Sequence, residues 1–275
     1  MINKTSLLRA LIVLAALIPP TRAMAQRDDA EWMDDCKSDR GDRWDRRETY
    51  CEVRTATARP SGETVSMEGL RNGGVYVTGW DRGEIVVKTR IRAQARTMSE
   101  AKAIASQVRT VINGSTITVD GPSRDEDESQ WSASLVASVP MQSNLRVETR
   151  NGPVSVSQVH GDMNLQTRNG PMALNDLGGT VTARTTNGPL SISLSGNRWD
   201  GGGLDARTTN GPLTISVPEN YSAHLETGTT NGPVSLGFPV TVSGRINRDI
   251  STDLGSGGAT IRASTTNGQL TLRRN

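Results

Sequence analysis

Apolar and polar residues alternate along the second half of the chain, and the alternation restarts at each copy of a short motif, Asn-Gly-Pro or Asn-Gly-Gln. The asparagines of the motif are Asn151, Asn169, Asn187, Asn210, Asn231 and Asn267. Apolar residues stand six residues before, three after and five after every one of them. Because side chains alternate between the two faces of a strand, each repeat predicts two short strands that share one buried face.

The residue after Asn-Gly indicates how the two strands of a repeat are joined. In a two-residue hairpin this residue donates its backbone N–H across the turn, and five of the six copies have proline there, which has no N–H. We therefore expect a corner between two strands of one coil, with glycine at positive φ and proline fixing the exit. Threonine stands two residues before every asparagine, and the alternation places both residues on the inner side.

The spacing of the copies predicts a parallel stack of coils. Asparagines at equivalent corners can exchange side-chain amide hydrogen bonds, so we expect the six asparagines to form a ladder. The predicted fold class is all-β: a parallel β-solenoid with rungs of about 18 residues and one short helix near the N-terminal end. An up-and-down meander of hairpins is the alternative, and it would show the same period without stacking like residues on like.

Two further segments complete the predicted domain. The stretch TMSEAKAIASQVRTVI predicts a helix with a capping box at Thr97 and Glu100, and its apolar face includes Ile104, Val108 and Val111. We expect this helix to cover the first rung. Between Asn231 and Asn267 no regular rung fits, and we expect a strand at 239–246 and a glycine-rich loop at 253–259.

The N-terminal residues predict export. Basic residues precede a short apolar run, and Ala23-Met24-Ala25 follows as a small-x-small cleavage site, so residues 1–25 are predicted to be a signal peptide. An uncleaved anchor is the alternative, although the apolar run is too short to span a bilayer. We expect the mature protein not to span a membrane. The sequence leaves open whether it is periplasmic, on the cell surface or secreted.

Residues 26–54 are rich in both charge signs and poor in aliphatic residues, which predicts a flexible leader before a single domain at 55–275. Cys36 and Cys51 both lie in the leader, after the predicted cleavage site. An oxidising compartment favours a disulfide between them, and two free thiols are the alternative.

Charge and composition exclude several functions. Without residues 1–25 the chain has 28 basic and 29 acidic residues, so nothing favours nucleic acid as a partner. Asp205 and Glu226 fall in one outward column, as a catalytic carboxylate pair would, but the rest of that column is mixed. His160 and His224 occupy non-equivalent repeat positions, which disfavours a shared metal site. We predict no catalytic residue, metal or cofactor.

A candidate binding surface lies in the columns four and six residues after the asparagines, where small hydroxylated side chains dominate. This hydroxyl strip comprises Ser155, Ser157, Ser191, Ser193, Thr214, Ser216 and Ser235. It could contact an envelope glycan or a protein partner, and a plain solvated face is the alternative. Trp199, in the five-residue insertion of the third repeat, either protrudes as a further contact or packs back over the sheet edge.

The segments NGGVYVTGWDRGEIVV, NGPLSISL, YSAHLETGTTNGPVSLGFPV and GGATIRASTTNGQLTL resemble the bacterial DUF4097 family, whose members are described as candidate adhesins built of β-strand repeats. The resemblance covers about residues 53–272. It implies an exported, all-β protein of the cell envelope and offers no catalytic motif. We therefore predict a non-enzymatic interaction, adhesion or structural module, with a carbohydrate-active enzyme of the lyase or hydrolase type as the alternative.

Overall fold

The computed structural model describes residues 28–38, 47–61, 64–123, 130–239 and 249–275. The predicted signal peptide and most of the strand expected at 239–246 lie outside these ranges. No helix within them is long and apolar enough to cross a membrane.

The described residues form two helices and twenty strands. The helices are α1 (Asp29–Ser38) and α2 (Met98–Gln107). The strands of the N-terminal half are β1 (Glu48–Ala58), β2 (Thr64–Asn72), β3 (Val75–Trp80), β4 (Ile85–Ala95), β5 (Arg109–Asn113), β6 (Thr116–Asp120), β7 (Gln130–Pro140), β8 (Asn144–Asn151) and β9 (Val154–Ser157). Those that follow are β10 (His160–Asn169), β11 (Met172–Asn175), β12 (Gly178–Asn187), β13 (Leu190–Ser193), β14 (Gly203–Asn210), β15 (Leu213–Val217), β16 (Ala223–Asn231), β17 (Val234–Leu236), β18 (Asp249–Leu254), β19 (Thr260–Asn267) and β20 (Leu270–Arg274).

These strands form two ten-stranded sheets. Sheet A has the order β1-β4-β7-β3-β9-β11-β13-β15-β20-β17, and sheet B has the order β18-β16-β19-β14-β12-β10-β8-β2-β6-β5. From β3 to β17 and from β16 to β6 all neighbours are parallel, and antiparallel pairs occur only at the margins. The predicted parallel stack is therefore present, and the alternative meander is wrong.

Each rung crosses from sheet B to sheet A at an Asn-Gly corner, and the apolar columns meet between the sheets. Leu165, Leu190 and Ile215 are fully buried members of this core. The outermost rung is the exception, since Leu236 on the edge strand β17 is 38% exposed. A single rung could not bury these side chains, so the core exists only because the rungs stack.

The corner threonines are buried polar residues that recur in the stacked rungs. Thr185 is 3% exposed, and its hydroxyl donates to the carbonyl oxygen of Gly170 in the preceding corner at 3.0 Å. The same bond joins every rung to its neighbour: Thr149 to Gly73, Thr167 to Gly152, Thr208 to Gly188, Thr265 to Gly211 and Thr229 to Gly268. The threonine column thus satisfies carbonyl groups that the close packing of corners would otherwise leave unpaired.

The asparagines form a continuous ladder of side-chain amide bonds. Asn187 donates to Asn169 at 2.7 Å and accepts from Asn210 at 2.8 Å. The expectation that the asparagines face inward is wrong, because Asn187 and its equivalents lie at the surface. The inward and outward alternation of the strand stops before the corner, so it does not predict the direction of the asparagine side chain. The ladder also has a member that the sequence did not reveal, Asn72, which accepts from Asn151 at 2.8 Å. A β-bulge between Met67 and Leu70 displaces the apolar columns of its rung.

The rungs do not stack in the order of the chain. The last rung, β19 and β20, lies between the rung of β14 and β15 and that of β16 and β17. The ladder accordingly runs from Asn210 to Asn267 at 2.8 Å and then to Asn231 at 2.9 Å. The long spacing between Asn231 and Asn267 contains β18, which pairs antiparallel with β16 at the margin of sheet B. After β18 the chain passes back across the sheet to form β19.

Helix α2 confirms its predicted N-terminus. Thr97 and Glu100 form the capping box, and Ile104 packs with Ile91 of β4 in a second apolar cluster. The helix ends at Gln107, earlier than its apolar pattern suggests. Val111 therefore belongs to the edge strand β5 and is 44% exposed.

The expectation of a flexible leader at 26–54 is wrong for the residues described, because this segment contains α1 and most of β1. Strand β1 pairs along its whole length with β4, so the sheet begins at Glu48 and not at residue 55. A disulfide between Cys36 and Cys51 joins α1 to β1. The charged side chains that suggested disorder make ion pairs with the sheet, as Asp29 does with Lys88 and Arg90.

Candidate functional site

The two outward sheet faces are the surfaces on which a partner could bind. Because neighbouring parallel strands pair in register, equivalent outward side chains stand in straight rows across the rungs. On sheet A one such row is Tyr76, Ser155, Ala173, Ser191, Thr214, Thr271 and Ser235. Rows of this kind present the same chemistry at intervals of about 4.8 Å.

The structure divides the predicted hydroxyl strip. Ser191 and Ser235 are exposed, and Ser157, Ser193 and Thr214 are half-buried. Ser155 and Ser216 are only 5% and 6% exposed, so their assignment to a solvated strip is wrong.

Neighbouring side chains explain both buried serines. Tyr76 stands directly opposite Ser155 on β3 and is large enough to cover it, and the Ser155 hydroxyl has no hydrogen-bond partner among the described residues. Ser216 stands opposite Arg273 of β20, whose Nε donates to its hydroxyl at 2.8 Å. The accessible part of the hydroxyl strip on this face is therefore shorter and consists mainly of Ser191 on β13, Thr214 on β15 and Ser235 on β17.

Trp199 does not protrude. It is 6% exposed, and its indole N–H donates to the carbonyl oxygen of Gly179 at 2.9 Å. The ring packs with Leu174, Ile192 and Leu204, so the five-residue insertion closes the core at this rung. Of the two interpretations of Trp199, packing over the sheet edge is confirmed, and the residue offers no binding surface.

The outward face of sheet B is rich in arginine. Most of its guanidinium groups are neutralised by a neighbouring carboxylate: Arg146 by Glu68, Arg184 and Arg207 by Asp205, and Arg262 by Glu226. Arg150 and Arg168 are exposed and have no ion pair with any described residue. The sequence did carry a signal for these two residues, since the corners there read TRNGP and the later ones TTNGP.

A shallow groove of about 630 Å³ runs over this part of sheet B. Its outward side chains are Glu148, Arg150, Gln166, Arg168, Arg184 and Thr186. No apolar or aromatic side chain lines it. The groove can therefore offer hydrogen bonds and positive charge to a ligand.

The two carboxylates in one outward column, Asp205 and Glu226, are separated by an arginine. Strand β19 lies between β14 and β16, so Arg262 stands in the row between Asp205 and Glu226. Arg262 donates to Glu226 at 2.6 Å, and Arg207 donates to Asp205 at 2.9 Å. A bond to be cleaved would have to lie between the two acids, where a guanidinium already stands.

A second polar group on sheet B brings together residues that the sequence did not connect. His224 Nδ1 lies 2.7 Å from Asp253 Oδ1, and Ser251 Oγ lies 3.4 Å from His224 Nε2. This order matches a hydrolytic triad, but the serine is beyond the usual hydrogen-bond distance and Glu226 lies 3.6 Å from the same nitrogen. A carboxylate there would oppose a developing oxyanion. The arrangement is typical of cross-strand polar pairs.

Metal ligands are not clustered in the described part of the chain, where no group of three His, Cys, Asp or Glu side chains could hold an ion. His160 on β10 and His224 on β16 are separated by three intervening strands in sheet B.

A family model described as Toastrack DUF4097 matches residues 83–273, which include most of the stacked rungs. The chain belongs to the DUF4097, or Toastrack, family. The matched range starts before β4 and ends in β20, so the helix α1 and strands β1 to β3 of this Toastrack protein precede it.

Solved structures similar to this Toastrack chain include a candidate cell adhesion protein of Clostridium sporogenes, with 9% identity over 82% of this chain and 100% of that one and a TM-score of 0.46. A candidate adhesin of Bacteroides fragilis has 12% identity over 82% of this chain and 97% of that one, with a TM-score of 0.36. No curated protein matches the chain.

Proposed function

We propose that this protein is an exported, non-enzymatic interaction module of the cell envelope that holds a partner on an outward sheet face. The observation that carries the proposal is the register of the rungs, which arranges outward side chains in straight, regularly spaced rows. A rigid row suits binding that is spread over several weak contacts. The disulfide between Cys36 and Cys51 favours a location outside the cytoplasm.

The enzyme alternative has weaker support. Catalysis requires a few groups that act together, whereas the candidate carboxylates Asp205 and Glu226 are both engaged by arginines. The group of Ser251, His224 and Asp253 is the arrangement that would favour a hydrolase.

Retention and turnover can be measured on the same purified protein. We expect it to be retained on envelope fractions and to release no reducing sugar or acid from polysaccharides and esters. Glutamates placed stepwise at Ser191, Thr214 and Ser235 test the remaining hydroxyl strip, where a stepwise fall in retention would identify that face. Hydrolysis that is abolished by Ser251→Ala or Asp205→Asn would contradict the non-enzymatic proposal. Failure of the wild-type protein to bind envelope fractions would contradict the interaction role.

A further inference from the structure

Resting on the interaction role proposed above, we propose that the groove around Arg150 and Arg168 on sheet B is a binding site for a linear acidic polysaccharide. The two arginines occupy equivalent positions on the adjacent parallel strands β8 and β10. Their guanidinium groups therefore start from backbone positions about 4.8 Å apart and can engage successive anionic groups along a polymer that lies across the strands.

The distribution of charge on the outward face of sheet B favours this groove as the site for an anionic ligand. Among the described side chains on this face, Arg146, Arg184, Arg207 and Arg262 already have carboxylate partners, so they contribute little free positive charge. Arg150 and Arg168 carry charge that no described carboxylate neutralises. A guanidinium donates two parallel hydrogen bonds to a carboxylate, which suits a sugar acid.

The lining of the groove decides the class of polymer. Gln166 and Thr186 supply amide and hydroxyl groups for sugar hydroxyls, and the row continues beyond Arg168 with the exposed Thr186, Thr209 and Thr266. Single-stranded nucleic acid would require aromatic side chains for base stacking, and a membrane surface would require apolar side chains to insert. The groove lining has neither.

One side chain of the groove opposes an anion. Glu148 lies two residues before Arg150 on the same face of β8, and it has no ion pair with any described residue. Its carboxylate should weaken binding of an acidic polymer. Removal of Glu148 should therefore strengthen binding of an acidic polymer, whereas removal of the arginines should weaken it.

The experiment measures binding of the full exported chain to polygalacturonate, a linear polymer with one carboxylate on each sugar, at low and high ionic strength. We expect binding that weakens with salt, and a roughly tenfold loss of affinity in the double variant Arg150→Gln/Arg168→Gln, because two exposed charge contacts are removed. Glu148→Gln should bind more tightly. The control Arg207→Gln removes a paired arginine from the same face and should bind as the wild type does.

Several results would overturn the groove proposal. Wild-type affinity in the Arg150 and Arg168 double variant would do so, as would equal binding of neutral dextran. Tighter binding to single-stranded DNA or to vesicles of phosphatidylglycerol would assign the groove to another ligand class. Failure of the wild-type protein to bind polygalacturonate would reject this ligand, and retention on envelope fractions would still decide the broader function. The substituted side chains are exposed, so unchanged thermal midpoints will show that the variants are folded.

A second inference concerns the open end of the asparagine ladder, and it rests on a different observation. Along the stack each corner glycine donates its backbone N–H to the asparagine carbonyl of the next rung, as Gly188 does to Asn210 at 2.9 Å and Gly211 to Asn267 at 3.0 Å. Gly232, in the outermost rung of β16 and β17, has no acceptor for its N–H among the described residues. The side-chain oxygen of Asn231 likewise accepts no hydrogen bond from them.

We infer that Asn231 is the preferred deamidation site of the ladder. The Gly232 nitrogen attacks the Asn231 side-chain carbonyl carbon, the bond to the amide nitrogen breaks, and ammonia leaves with the proton from Gly232. Water then opens the resulting succinimide to aspartate or isoaspartate. Inside the ladder the attacking N–H is engaged with the next rung and the amide is held on both sides, so the same step is suppressed.

The chain contains its own matched controls, because TTNGP occurs identically around Asn187, Asn210 and Asn231. Peptide mass spectrometry of the folded protein during storage at mildly alkaline pH should show deamidation at Asn231 ahead of the other two. In the unfolded chain the three rates should become equal. Equal rates in the folded protein, or faster reaction at Asn187, would overturn the inference.

Discussion

At the scale of single residues, the corner depends on close approach between rungs. A Cβ atom built on Gly188 would lie 2.1 Å from the carbonyl oxygen of Gly170, and those on Gly170 and Gly211 would meet the preceding corner at the same distance. The φ angle of Gly188 is +158°, so the expected positive φ is present at this corner, but Gly170 and Gly211 at equivalent corners do not have it. The requirement that all three corners share is space, because one corner packs directly on the next.

This difference can be tested with two glycine substitutions. Gly188→Ala should destabilise the protein by about 3 kcal/mol or more, because the clash is with backbone that cannot move alone. Gly196→Ala is the control: it has a φ of +68° and no atom within 4 Å of the added methyl group. Its cost should be about 1 kcal/mol, from backbone conformation only. Free energies of unfolding from denaturant titration would compare them, and equal costs would contradict the close-approach explanation.

The threonine and asparagine columns should also differ in their energetic effects. Thr185→Val leaves the carbonyl oxygen of Gly170 buried without its donor, and we expect a loss of about 1 to 3 kcal/mol. Asn187→Ala breaks two ladder bonds at the surface, where water can replace them, and should cost about 0.5 to 1 kcal/mol. Thr186→Val, exposed on the same strand, should change the stability by less than about 0.5 kcal/mol. An Asn187→Ala variant as unstable as Thr185→Val would show that the ladder matters more than its exposure suggests.

At the scale of elements, helix α1 is attached to the sheet by charge and by a covalent bond. Burial raises the pKa of Asp29, but hydrogen bonds and charges from Lys88 and Arg90 outweigh burial and hold the pKa below its ordinary value. Arg90 is itself buried and also lies over the ring of Trp32 at 5.8 Å. The disulfide to Cys51 keeps the helix close to this contact.

The docking of α1 should therefore depend on acid pH. Because the folded pKa of Asp29 is lowered, its stabilising contribution is complete above the ordinary aspartate pKa of about 3.9 and is lost as the pH falls through the lowered value. Hydrogen exchange of α1 should accelerate in that range in the wild type. Asp29→Asn should show weakened protection already at neutral pH and no further loss from this group. Asp34→Asn, exposed on the same helix, should follow the wild type, and an unchanged profile in Asp29→Asn would contradict this role.

At the scale of the whole molecule, the last two rungs in the sequence are stacked in reverse order. Strands β19 and β20 insert between rungs that are earlier in the sequence, so the C-terminal residues are internal to the sheets. Leu270 and Leu272 are fully buried for this reason. The chain end therefore stabilises the rung of β16 and β17, which would otherwise have no neighbour on that side.

Cleavage of the signal peptide and formation of the disulfide together predict the mass of the intact exported protein. The exported protein should begin near Gln26, and its mass should be two hydrogens below that of the dithiol chain, because Cys36 and Cys51 are joined. Intact mass spectrometry with and without reduction would measure both quantities. Two thiols that can be alkylated before reduction would refute the disulfide, and a retained N-terminal segment would refute cleavage.

The sequence by itself determined the rung: which columns are apolar, where the corners fall, and which two residue types recur at them. These features are local or strictly periodic, so alternation and spacing suffice to predict them. They also indicated the parallel stack, because only stacking explains identical threonines and asparagines at every corner.

Only the tertiary structure decided the order of the rungs and the chemistry of the faces. All rungs carry the same columns, so the sequence offers no preference that would place β19 beside β14 in advance. Whether an outward side chain is open depends on the strand beside it: Arg273 of β20 binds Ser216 of β15, and Arg262 of β19 binds Glu226 of β16. Arg150 and Arg168 have no ion pair with any described residue. Such neighbours are fixed by long-range pairing, because adjacent strands belong to rungs that are distant in the sequence.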